Sequence, residues 1–144
     1  MANDNFVQIV GSLGGDPELR FTTAGVAVCS FSVAWTARKK DPAGGWVDGE
    51  TTWFRCTAWR DMAENVAASL SKGMRVVVTG QISARDWVDN ESNNRTSIEI
   101  QVDEASPSLR WAQAHIERNE REKPAETRQA AAKEPAYDDT EEPF

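Results

Sequence analysis

Two stretches of this chain alternate their side chains with a period of two, and no other feature restricts its fold as much. Across residues 51–59, Thr52, Phe54, Cys56 and Ala58 share one parity, and Trp53, Arg55, Thr57 and Trp59 share the other. Across residues 75–87, Val76, Val78, Gly80, Ile82 and Ala84 alternate with Val77, Thr79, Gln81, Ser83, Arg85 and Trp87. Successive side chains of a strand point to opposite faces, so each stretch reads as a strand with one buried face and one solvent face. A core face rarely holds an unpaired arginine. The parities that carry Arg55 and Arg85 therefore face outward, and they take Trp53, Trp59 and Trp87 with them.

The other elements follow from breakers and periodicity. Residues 6–13 read as a first strand, stopped by Gly14-Gly15 and Asp16-Pro17. A second strand starts after Gly25, with Cys29, Phe31 and Val33 alternating against serines; Trp35 shares the parity of that apolar set and is expected in the core. Residues 38–50, rich in Lys, Gly and Asp, read as a loop or a solvated hairpin tip. Residues 61–70 read as a short helix, with Asp61 and Glu64 as a capping pair, Met62, Val66, Ala67 and Leu70 as its apolar stripe, and Gly73 as its stop. Residues 95–102 are the last strand, after a polar turn at 89–94. Three strands, one helix between the third and fourth, and two strands match an all-β, five-stranded Greek-key OB-fold barrel. Periodicity alone also allows another small barrel or a sandwich fragment. A helix is expected over residues 112–121, in a stretch rich in Ala, Glu, Arg and Gln that has no large apolar face.

The 144 residues suffice for one domain and a tail. No apolar run approaches a membrane span, and the N-terminus lacks the pattern of a signal peptide, so a cytoplasmic protein is expected. Cys29 and Cys56 lie in apolar surroundings without CxxC spacing. With His115 as the single histidine they make too few ligands for zinc, so both are expected as buried thiols, with no metal and no cofactor. Catalysis finds no support either: His115 has no nucleophile near it in sequence, and Gly14-Gly15 leads into Asp16-Pro17 rather than into a helix that could cradle phosphate.

The net charge of −7 argues against electrostatic wrapping of duplex DNA. The charge is also uneven: 11 Lys/Arg stand against 14 Asp/Glu over residues 1–111, and 5 against 9 over 112–144. Six tryptophans beside one tyrosine need a purpose. A single-stranded nucleic acid supplies one, because an unpaired base offers a flat face for an indole to stack on, whatever its identity. Arg55 and Arg85 would add phosphate or cation–π contacts, and Arg20, Lys39, Lys40, Lys72 and Arg75 are further basic candidates. Aromatics are enriched at subunit interfaces too, and that alternative stays open. Trp46 and Trp111 cannot be assigned from pattern.

Residues 112–136 form a charged segment expected to be a flexible linker, and 137–144 an acidic tip. The tip carries Asp138, Asp139, Glu141 and Glu142 before Pro143 and a terminal Phe144, which suits a docking motif better than plain solubilising charge.

The run from Ile9 through Gly14-Gly15-Asp16-Pro17 to Phe21 resembles the opening signature of bacterial and phage single-stranded DNA-binding proteins. Further matches are Trp53 through Trp59, Ala63-Glu64-Asn65, Lys72-Gly73, Gly80-Gln81 with Arg85 and Trp87, and the Pro143-Phe144 end. The segment from Val102 to Trp111 is similar to the actinobacterial branch. The resemblance implies an OB fold, usually four OB domains per assembly, with Trp53, Trp59 and Trp87 at base-stacking positions. It places Arg20, Lys40, Arg55, Lys72 and Arg85 near the DNA path. It implies a tip that docks on replication, recombination and repair enzymes. The chain departs from the family at Lys39, where some members carry a stacking Trp, at Asp61 and Asp86, which replace basic residues, and at Phe54, which replaces a His associated with the tetramer interface.

Overall fold

The computed structural model describes residues 5–120, and in it the period-two segments form strands. β1 (Phe6–Leu13) ends where the glycine pair breaks the alternation. β2 (Glu18–Phe21) is a short strand for which the sequence gives no signal. All four of its residues are exposed, so no buried parity marks it. β3 (Ala27–Lys40) and β4 (Trp46–Trp59) are a long hairpin, and α1 (Arg60–Ser69) follows directly. β5 (Arg75–Val88) and β6 (Asn94–Pro107) complete the sheet.

The strands pair in the order β1-β5-β6-β4-β3-β2, and β1 also pairs with β3. The five long strands therefore close into a ring, with β4 and β6 parallel and the other neighbours antiparallel. This is the OB-fold order, with β2 added outside the ring along β3. The expected count of five strands becomes six.

The expected inward parities hold, with Thr52, Phe54 and Ile82 half-buried, except that Ala84, expected inward, is exposed towards the end of β5. Cys56 and Ala58 of β4 and Val76 and Val78 of β5 are buried, together with Cys29, Phe31 and Val33 of β3 and Ile100 of β6. α1 lays Ala63 and Val66 on this core, with Met62 and Ala67 partly buried beside them. Its expected cap is not formed. β4 runs into the helix without a loop, so Trp59 occupies the N-cap position with no side-chain bond, and Arg60 takes a φ of 57°. Asp61 stands in the first turn, where its charge complements the helix dipole. Gly73 is not the helix stop, because the helix ends before it at Ser69. It occupies the next turn with a φ of +87°.

Two expectations about the hairpin need correction. Most of residues 38–50 is strand, not loop, since pairing continues to Lys40 opposite Trp46 and leaves only residues 41–45 as the turn. Trp35 is not in the core and is 50% exposed. It pairs with Thr52, whereas the pairing of β4 with β6 begins only at Phe54. Trp35 keeps the inward parity on a part of the hairpin that has already left the ring.

Both cysteines are buried, as expected. Burial raises the Cys29 thiol above its ordinary range and pushes Cys56 up to about 12. The native protein should therefore resist a thiol reagent at pH 8 and react only when unfolded, which a colorimetric thiol assay with and without urea checks. Between 9.0 and about 12 the unfolded Cys56 releases its proton while the folded one holds it, so stability falls as pH rises through that window.

Beyond Pro107, residues 108–120 have no regular secondary structure, so the expected helix is absent over 112–120. The rest of the charged segment and the acidic tip, with Asp138, Asp139, Glu141, Glu142, Pro143 and Phe144, lie outside the described residues. Among the described residues no helix is long and apolar enough to cross a membrane.

Candidate nucleic-acid interface

The outer face of the ring is built row by row from strand register. On β4, Trp53, Arg55, Thr57 and Trp59 stand opposite Ala34, Ser32, Ser30 and Val28 of β3. Val28 pairs in turn with Arg20 of β2, so Arg20, Val28 and Trp59 form one row across three strands. On the other side β6 places Glu99 beside Arg55 and Gln101 beside Thr57. β5 continues the face with Gln81, Ser83, Arg85 and Trp87 opposite Gln101, Glu99, Ser97 and Arg95. Period two on five strands thus carries Trp53, Trp59 and Trp87 onto one continuous surface, where they are 56%, 43% and 45% exposed.

Each ring is held differently. Trp59 Nε1 donates to Gln101 Oε1 at 3.0 Å, and Trp87 Nε1 donates to Ser97 Oγ at 2.8 Å. Trp53 lies over Gly14 at the end of β1, so closely that a Cβ there would be 2.8 Å from the ring's Cη2 and nearer still to Cζ3. Glycine leaves room for the indole. The obstacle in a Gly14→Ala variant would be the movable end of a side chain, so Trp53 should swing away at little cost to the fold. Loss of its pre-set position should weaken oligonucleotide binding by about three- to ten-fold, with the urea unfolding midpoint nearly unchanged. Unaltered affinity would mean that the seat of Trp53 does not matter.

A groove of about 330 Å³ opens beside Trp53 and Arg55, lined by Gly14, Gly15, Asp16, Glu18, Ser30, Phe31 and Ser32. Arg55 has no ion-pair partner among the described residues, so its guanidinium is available to a phosphate. Arg85 is not equally available, since Glu99 stands 3.7 Å from it.

The remaining basic candidates separate. Arg20 joins the Trp59 row. Lys39 and Lys40 sit on the projecting hairpin opposite Val47 and Trp46, with the aliphatic chain of Lys39 lying across Gly49. Lys72 lies in the turn after α1, where its backbone N–H donates to Asp16 at 2.9 Å, beside the groove. Arg75 begins β5, at the opposite end of the strand from Trp87. Its Nε donates to Ser108 Oγ at 3.3 Å, and its guanidinium lies 4.6 Å from the centre of the Trp111 ring. Trp111 also receives Arg110 at 5.3 Å.

The reading from sequence missed Gly14, Ser97, Glu99 and Gln101. The last three alternate with Ile98, Ile100 and Val102, so their shared face was readable; which rings they serve depends on pairing between distant strands.

Residues 4–108 match the profile of the Single-strand binding protein family. This chain belongs to that family. The single-stranded DNA-binding protein of Mycobacterium leprae is 49% identical to it over 122 residues, covering 84% of this chain and 73% of the relative. That of Paenarthrobacter nicotinovorans is 48% identical over 122 residues, covering 84% and 72%. The crystal structure of the small single-stranded DNA-binding protein from Streptomyces coelicolor superposes with a TM-score of 0.67 at 32% identity, covering 75% of this chain and 97% of that one. These relatives agree with the resemblance to the actinobacterial branch. The family is one of binding proteins rather than enzymes, as the absence of a catalytic pattern led us to expect.

Proposed function

We propose that this member of the single-strand binding protein family binds single-stranded DNA without regard to sequence, stacking bases on Trp53, Trp59 and Trp87. The observation that carries the reading is three half-exposed indoles on one sheet face, with the unpaired Arg55 between two of them. A duplex hides its base faces, so this surface selects unpaired strands. Arg55 meets a phosphate between two stacked bases, and Arg85 does so once the backbone displaces Glu99. Arg20, Lys39, Lys40 and Lys72 extend the path, and Arg75 adds charge at its far end.

The test is tryptophan fluorescence during titration with oligo(dT), with a duplex of equal length, and at raised salt. Strong quenching by oligo(dT), little by the duplex and weakening with salt are expected. No quenching at low salt would make the aromatic face a protein interface and the chain an adaptor. Arg55→Gln should also flatten the slope of log affinity against log salt by about 0.7, the value for one phosphate contact to a single strand.

The protein acts as a cytoplasmic homotetramer in replication, recombination and repair. Its parts are a binding domain over 1–111, a linker over 112–136 and a tip over 137–144. The tip recruits partner enzymes: Phe144 fills an apolar pocket while Asp138, Asp139, Glu141 and Glu142 meet basic residues and Pro143 stiffens the segment. The family pattern and the composition of the tip support this reading. Light scattering tests the assembly. Deletion of Pro143 and Phe144 should abolish partner capture and leave oligo(dT) affinity intact; capture that survives the deletion ends the docking idea.

A further inference from the structure

We propose that Gln101 and Ser97 are positioning residues that hold two stacking indoles in place and, by occupying their N–H groups, make them blind to base identity. The proposal rests on the DNA-binding reading above and goes beyond it, because it concerns why such stacking would be sequence-neutral and which residues make it so.

β6 lies between β4 and β5. It presents Ser97 and Gln101 on the outer face, four residues apart, and each accepts from the indole of a different neighbour. Gln101 holds Trp59 of β4, and Ser97 holds Trp87 of β5. An indole on an exposed strand turns about two side-chain torsions, and freezing them on binding costs entropy. An N–H bond made before DNA arrives removes part of that cost in advance. The Trp59 bond also fixes the amide orientation of Gln101, since the oxygen must face the donor.

The second consequence concerns specificity. The indole N–H is tryptophan's single polar group and donates only. A free N–H beside a stacked base could bond a pyrimidine O2 or a purine N3 or N7, and so favour one base over another. With both N–H groups already given to β6, Trp59 and Trp87 offer a base only their π faces. Trp53 has no protein acceptor for its N–H among the described residues and serves as the internal control. The arrangement also gives a reason for a tryptophan at position 59 rather than a phenylalanine, since only the indole can be tied to Gln101.

The experiment uses the full chain with Gln101→Met, which keeps the length of the side chain and removes the acceptor, and with Ser97→Ala. Each is made alone and combined with Trp59→Phe or Trp87→Phe. Two quantities are read: exchange of the indole N–H groups by NMR in the free protein, and affinity for oligo(dT), oligo(dC) and oligo(dA). In the wild type the N–H groups of Trp59 and Trp87 should exchange more slowly than that of Trp53. Gln101→Met should release Trp59 alone and Ser97→Ala should release Trp87 alone. Each should weaken oligo(dT) binding by about three- to ten-fold, the scale of one hydrogen bond, and widen the spread of affinities among the three oligonucleotides. In the Trp59→Phe background Gln101→Met should do neither. Unchanged affinity and base ranking would overturn the proposal. So would an equal loss in both backgrounds, which would assign Gln101 a direct contact or a role in folding. Slow N–H exchange without binding to any oligonucleotide would sink the DNA-binding reading, and this inference with it.

Discussion

Replacing Trp53 and Trp59 together by alanine is expected to lower affinity for oligo(dT) by between about thirty-fold and twenty-thousand-fold. Each base stacked on an aromatic contributes roughly 1–3 kcal/mol. The two rings lie six residues apart on β4, roughly 20 Å along an extended strand, so their losses should nearly add. The fold should survive, because both rings are about half exposed and neither belongs to the core cluster. Their removal should cost up to roughly 5 kcal/mol of stability, since each ring keeps about half its surface from water. Circular dichroism and a urea titration check the fold, and anisotropy of a labelled oligonucleotide checks binding. A folded double variant that binds oligo(dT) like the wild type would remove these rings from the DNA path. The aromatic face would then be a surface for protein.

The parts of this architecture that were legible in sequence are those set by local chemistry. The faces of β4 and β5 could be read because a buried parity is apolar wherever the strand lies, and Arg55 and Arg85 marked the other parity as solvent. β1 could be read to its last residue because Gly14-Gly15 ends it. Parity cannot say where a core stops along a strand, and Trp35 was misplaced for that reason: it repeats the apolar phase of Cys29, Phe31 and Val33 beyond the point where other strands cover it. β2 buries nothing and so leaves no periodic trace. Residues 38–50 look like a loop by composition, because strands exposed on a projecting hairpin need no apolar face. The candidate site divides the same way. Its aromatic and cationic members announced themselves, whereas Gln101 lies 42 positions from the ring it holds and Gly14 lies in the bend after β1, far in sequence from Trp53. Those relations exist only once the ring has closed.

Gly80→Ala is expected to be the most damaging single methyl that the described domain can receive, costing about 3 kcal/mol or more. A Cβ at position 80 would stand 2.8 Å from the carbonyl carbon of Gln101, closer still to its oxygen, and 3.1 Å from Ile100 Cγ2. The obstacle is backbone, unlike the side-chain obstacle at Gly14. That backbone has nowhere to go, because Gln101 pairs with Gln81 of β5 on one side and with Thr57 of β4 on the other. Gly80 also sits where the β5–β6 register shifts, between Thr79 and Gly80, so the strands approach closely there by construction. Relief would require β6 to leave one neighbour and open the ring. Against a total stability of roughly 5–15 kcal/mol, such a loss should show as a large fall in the urea midpoint or as failure to fold. A variant within about 1 kcal/mol of the wild type would mean that β6 yields at Gln101. In that case the same movement should shift the acceptor of Trp59, and oligonucleotide binding should fall while stability holds. Stability and binding measured on this one substitution therefore separate a rigid β6 from a yielding one.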